Sequence, residues 1–115
     1  MLNEKTIAFI GSGIMAEAII KGLLRQGLVT PDKIIASGPR PGRGQELFDR
    51  YGVRTTTGNV EAASGAEVVV LSVKPQVLCR VLEELGDHVD PGALVISIVA
   101  CAKTDTIQRM LGTPA

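Results

Sequence analysis

This 115-residue sequence predicts a doubly wound α/β fold, with parallel strands covered by helices on both faces. Three observations carry that expectation. Residues 6–10 (Thr-Ile-Ala-Phe-Ile) form a short, largely β-branched apolar run, as expected of a strand buried on both faces. Gly11, Gly13 and Ala16 follow at the spacing G-x-G-x-x-G/A. Strand-like and helix-like segments then alternate along the chain, the pattern of strand–helix–strand units with right-handed crossovers.

The first helix is expected from about Ile14 to Gln26. Ile14, Ala18, Ile19, Gly22 and Leu23 form one face, and Gly27 is placed to stop it. Pro31 and Asp32 turn the chain into a second strand near Ile34 to Ser37. The run from Gly38 to Gly44 (Gly-Pro-Arg-Pro-Gly-Arg-Gly) is dense in residues that break regular structure and reads as a loop. A short helix from about Gln45 to Tyr51 ends at Gly52. A weak third strand, Val53 to Thr56, and a helical turn from Val60 to Ala63 come next. Val68 to Leu71 is apolar throughout, which suits a central fourth strand. Pro75 falls in the first turn of a helix whose buried stripe is Val77, Leu78, Val81, Leu82 and Leu85. Asp90-Pro91-Gly92 turns into a fifth strand, Leu94 to Ile98. Thr104 is the expected N-cap of a last helix carrying Ile107, Met110 and Leu111, closed by Gly112. The whole is a Rossmann-type sheet of expected strand order 3-2-1-4-5, one domain over residues 1–115. Its ligand site is expected at the carboxyl ends of the strands, at the switch between strands one and four.

Composition narrows the function. Twelve basic residues balance twelve acidic ones, so no charge excess points to nucleic acid or an anionic membrane. Two Phe, one Tyr and no Trp leave little for a base-stacking platform. Cys79 and Cys101 are too few and too far apart for a zinc site or a disulfide framework, which suits a reducing cytoplasm. The longest apolar run, Ala93 to Ala102, is about half the ~20 residues of a membrane helix. Charged residues around the first apolar segment argue against a signal peptide. No metal site and no catalytic Ser-His-Asp, Cys-His or paired-carboxylate set can be built. His88 reads as a surface residue, Glu83-Glu84 as a solvated face and Cys79 as a small core residue.

The glycine turn has its own chemistry. Gly11 permits the sharp exit from the strand, and Gly13 leaves room for a pyrophosphate to approach the backbone. Ala16 lets the helix pack close to the sheet. The helix N-terminus offers N–H groups and a positive dipole end to the anion. An NAD-selective site places a carboxylate ~20 residues further on. Here the second strand ends Ile35-Ala36-Ser37-Gly38-Pro39-Arg40, with no carboxylate. Ser37 can donate a hydrogen bond, and Arg40 or Arg43 can pair with a 2′-phosphate. The pattern favours NADP(H) over NAD(H). Arg40 is the stronger candidate of the two, against the plain alternative of solvated loop charges.

Three segments together resemble the N-terminal domain of the pyrroline-5-carboxylate reductase family. They are Ile10-Gly-Ser-Gly-Ile-Met-Ala-Glu-Ala-Ile19, Val70-Leu-Ser-Val-Lys-Pro-Gln76 and Val95-Ile-Ser-Ile-Val-Ala100, the Lys74-Pro75-Gln76 signature being the most specific. The resemblance spans nearly the whole chain. It implies NADPH-dependent reduction of the C=N bond of 1-pyrroline-5-carboxylate to proline, in proline biosynthesis. It also implies pyrophosphate on Gly11, Ser12, Gly13, Ile14 and Met15, Ser37 by the 2′-phosphate, and Asn59 facing the adenosine ribose. Ser72, Val73, Lys74 and Pro75 would line the nicotinamide side, with Val99 and Ala100 completing that wall. Lys74-Pro75 is expected to act through its backbone rather than as a proton donor. Cys101 departs from the glycine usual there and adds bulk beside the nicotinamide site.

In the family a helical domain follows, pairs subunits into homo-oligomers and supplies most groups that bind the imine. This chain stops at Gly112-Thr-Pro-Ala115, before that region, so it is expected to be a domain that binds cofactor and does little chemistry alone. Two other readings stay open. One is a different reductase of the 6-phosphogluconate dehydrogenase-like group, whose members read Met-Gly where this chain has Met15-Ala16. The other is a non-catalytic NADP-binding module with a regulatory role.

Overall fold

A computed structural model describes residues 5–98. The expected last helix, Val99, Ala100 and Cys101 lie outside the described residues.

Five parallel strands form one sheet: β1 (Ile7–Ile10), β2 (Ile34–Ser37), β3 (Arg54–Thr56), β4 (Val68–Leu71) and β5 (Leu94–Ser97). Their order is β3-β2-β1-β4-β5, as the sequence predicts. In register, Ile10 lies between Ser37 of β2 and Leu71 of β4. The strand ends that face a ligand are therefore level with one another. Four helices connect them: α1 (Ile14–Arg25), α2 (Pro41–Tyr51), α3 (Asn59–Ala63) and α4 (Leu78–Leu85).

Alternation along β1 divides the core in two. Ala8 and Ile10 pack with Val69, Leu71 and the α4 stripe Leu78, Val81, Leu82 and Leu85. Ile7 and Phe9 pack on the other face with Ala16, Ile20, Ile34 and Leu47. All four β1 residues are buried, which explains an apolar run without polar alternation. Each fully buried aliphatic side chain contributes about 1.5–3 kcal/mol.

Helix α1 ends as expected. Gly27 has φ +68°, and its amide donates to Leu24 O while Leu28 N–H donates to Leu23 O. This paired closure satisfies the last carbonyls of the helix.

Three details differ from the sequence reading. Helix α2 begins at Pro41, not near Gln45. Pro41 stands at the first helical position, where a missing N–H costs nothing, so proline here starts a helix rather than breaking a chain. Gly44, the second apparent breaker, is where α2 approaches β3, since a Cβ there would lie 3.1 Å from Thr55 Oγ1. Pro75 opens a single 3-10 turn, Pro75–Val77, and α4 starts only at Leu78. Cys79 is exposed, not a core residue, because it lies one position off the buried stripe of α4.

Candidate dinucleotide-binding site

The carboxyl ends of the strands are knitted together by backbone hydrogen bonds. Gly11 N–H donates to Ser37 O at 3.0 Å, Ser72 N–H to Ile10 O at 2.9 Å, and Gly38 N–H to Thr56 O at 3.1 Å. The Ser72 hydroxyl adds a bond to Gly11 O at 2.9 Å. Gly11 has φ +104°, and a Cβ there would lie 2.7 Å from Ser72 O. Both the backbone conformation and the close approach of β4 demand glycine. Gly13 is different: a Cβ there meets nothing within 4 Å. Its missing side chain leaves open space over the start of α1, where a ligand backbone can approach. Gly13 is also the N-cap, without a side-chain cap bond. The first-turn amides of α1 are therefore left for an anion. Ile14 (84%) and Met15 (61%) expose their side chains at this helix start, whereas Ala16 is fully buried against the sheet.

Beside the turn lies a cleft of about 230 Å³, lined by Ser12, Gly38, Arg40, Pro41, Gln45 and Thr57 among others. Gly38 forms its floor so closely that a Cβ would collide with Ser12 Oγ. The exposed Arg40, N-cap of α2, borders the cleft. Arg43 does not line it. Its Nε donates to Ser12 O at 2.7 Å, and its Nη2 donates to Gly13 O at 3.3 Å and Glu17 Oε1 at 2.7 Å. The geometry thus separates the two arginines, of which the sequence already favours Arg40.

Ser37 has no accessible surface, and its hydroxyl donates to Asn59 Oδ1 at 2.7 Å. Asn59 Nδ2 donates in turn to Glu84 Oε1 at 2.9 Å. Ser37, Asn59 and Glu84 thus form a hydrogen-bonded buttress between β2, α3 and α4, and the contacts of Ser37 with a 2′-phosphate and of Asn59 with a ribose remain expectations. Glu84 is exposed, as the sequence suggests, and accepts this bond at the surface. On the other side of the switch, Ser72 and Val73 are half-buried, and Lys74 and Pro75 are exposed. Lys74 is extended (φ −66°, ψ 145°), as a residue before proline prefers, and its carbonyl accepts from Val77 N–H. Its backbone thereby sets the 3-10 turn. His88 is exposed, as the sequence suggests.

One cluster escaped the sequence reading. The Glu17 carboxylate accepts from Tyr51 Oη at 2.6 Å, Arg43 Nη2 at 2.7 Å and Arg50 Nη1 at 2.9 Å. These donors, Tyr51 first, hold its pKa down at about 2. Tyr51, as a donor to that carboxylate, is shifted upward. Arg50 and Tyr51 lie on the helix expected from about Gln45, but Arg43 lies before its expected start and gave no signal. The partner on α1 had none. Among the described residues no group of three or more His, Cys, Asp or Glu is placed to hold a metal, and no helix is long and apolar enough to cross a membrane.

Comparison with known proteins supplies the context. The sequence pattern of a family described as NADP oxidoreductase, coenzyme F420-dependent, matches residues 6–101. A pyrroline-5-carboxylate reductase of Vibrio alginolyticus is 41% identical over 112 residues, covering 97% of this chain and 41% of that protein. One from Synechocystis is 42% identical over 103 residues, covering 90% of this chain and 38% of that protein. The solved structure of a pyrroline-5-carboxylate reductase from Coxiella burnetii superposes with a TM-score of 0.89 at 37% identity, over 96% of this chain and 41% of that one. The chain thus spans about two-fifths of the length of these relatives.

Proposed function

The chain belongs to the NADP oxidoreductase, coenzyme F420-dependent family, and from that premise we propose that it is the NADP(H)-holding part of a pyrroline-5-carboxylate reductase. The observation that carries this reading is the cleft between the glycine turn and α2, where Arg40 stands and the end of β2 offers no carboxylate. A dinucleotide fits the residues present. Open space over Gly13 admits the pyrophosphate, and the first-turn amides of α1 with its dipole favour that charge. Arg40 offers a planar, permanently charged donor for a 2′-phosphate. Ser72, Val73, Lys74 and Pro75 form a wall on the nicotinamide side, joined by the level strand ends.

When bound, the reduced nicotinamide supplies the hydride that a C=N carbon accepts. The residues of this chain contribute orientation: they fix where the ring lies relative to a substrate held elsewhere. Relatives bearing the pyrroline-5-carboxylate reductase name make the cyclic imine the proposed substrate. A homo-oligomeric, cytoplasmic full-length enzyme completes the proposal.

Calorimetric titration with NADPH and NADH tests it. The wild-type chain is expected to bind NADPH more tightly. Arg40→Ala should weaken NADPH by about ten- to a hundredfold, the worth of a charge-assisted bond to phosphate, and leave NADH unchanged. Equal binding of both nucleotides by the wild type would contradict the reading.

A further inference from the structure

Arg43 lies three residues beyond Arg40, on the helix that borders the cleft, yet its guanidinium faces the glycine turn. It is four-fifths buried there, with 21% of its side chain exposed. Its Nε and Nη2 bond to the carbonyls of Ser12 (2.7 Å) and Gly13 (3.3 Å), and Nη2 also reaches Glu17 (2.7 Å). In a trans peptide the C=O and N–H point in opposite directions, and the described chain has no cis bond. The Ser12 carbonyl shares its peptide with Gly13 N–H, and the Gly13 carbonyl shares its peptide with Ile14 N–H. Drawing both carbonyls onto Arg43 therefore turns both amides away from it.

We propose that Arg43 is a positioning residue for the cofactor: it orients the Gly13 and Ile14 amides toward the pyrophosphate without touching the 2′-phosphate. The inference rests on the NADP(H) reading above. Glu17 completes the device. Its carboxylate fixes the guanidinium and neutralises its charge, and Tyr51 and Arg50 from the same helix hold that carboxylate in place. The glycine turn at the start of α1 is thereby held against the body of α2.

The two arginines then differ in what their loss does. Arg43→Met should weaken NADPH and NADH by the same factor, about tenfold, and keep their ratio, whereas Arg40→Met should collapse the ratio. Arg43→Lys should recover only part of the loss, because one ammonium cannot span two carbonyls and a carboxylate in a fork. In the ligand-free chain, amide exchange at Glu17, whose N–H donates to Gly13 O, should quicken in Arg43→Met and stay unchanged in Arg40→Met. Glu17→Gln, a near-isosteric change, is the second variant should Arg43→Met fail to fold, with a smaller loss and the ratio again kept. Weakened NADPH binding with unaltered NADH binding in either the Arg43 or the Glu17 variant would overturn the proposal. So would a folded Arg43→Met chain that binds both nucleotides normally. If the wild type binds neither nucleotide, the function reading falls, and the exchange rates still decide whether Arg43 holds the turn.

Discussion

The two sides of the strand switch are built by different means. On the proposed adenosine side, α1 and α2 meet through charged side chains: Arg43, Arg50 and Tyr51 converge on Glu17, and a cleft opens beside Arg40. On the proposed nicotinamide side the described wall is backbone, made by the Ser72 bonds to Ile10 and Gly11 and by the turn after Lys74. Side chains discriminate between ligands, because they differ in charge and reach; backbone sets distances. On the proposed reading, the side-chain-built side is the one through which this chain selects its nucleotide.

The sharpest way to break the comparison is at the point where the two sides join. Gly11→Ala places a Cβ 2.7 Å from Ser72 O at φ +104°. Denaturant unfolding should show a loss of about 2–5 kcal/mol, from left-handed strain plus overpacking. Nucleotide binding should fall on both sides of the switch together. A smaller effect is expected from acid. Glu17 ordinarily titrates at 4.5 and is held at about 2 in the fold. Its contribution, on the order of 2–3 kcal/mol, is therefore complete above about pH 4.5 and is lost as pH falls from there toward 2. Glu17→Gln should lower stability at pH 7 and flatten the pH dependence between 5 and 2. Parallel curves for variant and wild type would show that the carboxylate is not so held.

The smallest change is expected at Ser37→Ala. It removes the donor to Asn59 Oδ1 and should cost about 1 kcal/mol in stability, read from the denaturation midpoint. The NADPH-to-NADH ratio should stay fixed. A collapse of that ratio would instead show that Ser37 meets the 2′-phosphate.

Much of this is legible in the sequence. The strands announce themselves as short apolar runs, and glycine spacing places the first turn, so sheet order and the place of the candidate cleft follow from local pattern. Gly27 could be read as a helix stop because its role depends only on neighbouring backbone. The start of α2 could not be read so easily, since Pro41 and Gly44 act as breakers or as helix residues according to what packs against them. For Gly44 that neighbour is Thr55 on another strand. Cys79 was misplaced through its proximity to Leu78, although its offset from the stripe was already visible. The Glu17 cluster and the Ser37–Asn59–Glu84 chain depend on residues brought together by the fold, and no spacing in one sequence encodes such meetings.

The claim that this chain reads the adenosine half is tested most directly with that half alone. Adenosine 2′,5′-bisphosphate and adenosine 5′-monophosphate, titrated calorimetrically into the wild-type chain and the Arg40→Ala variant, isolate the 2′-phosphate from everything on the nicotinamide side. The account predicts that the bisphosphate binds the wild type about ten- to a hundredfold more tightly than the monophosphate, and that the difference vanishes in the variant. Equal binding of the two by the wild type, or a preference that survives loss of Arg40, would contradict it.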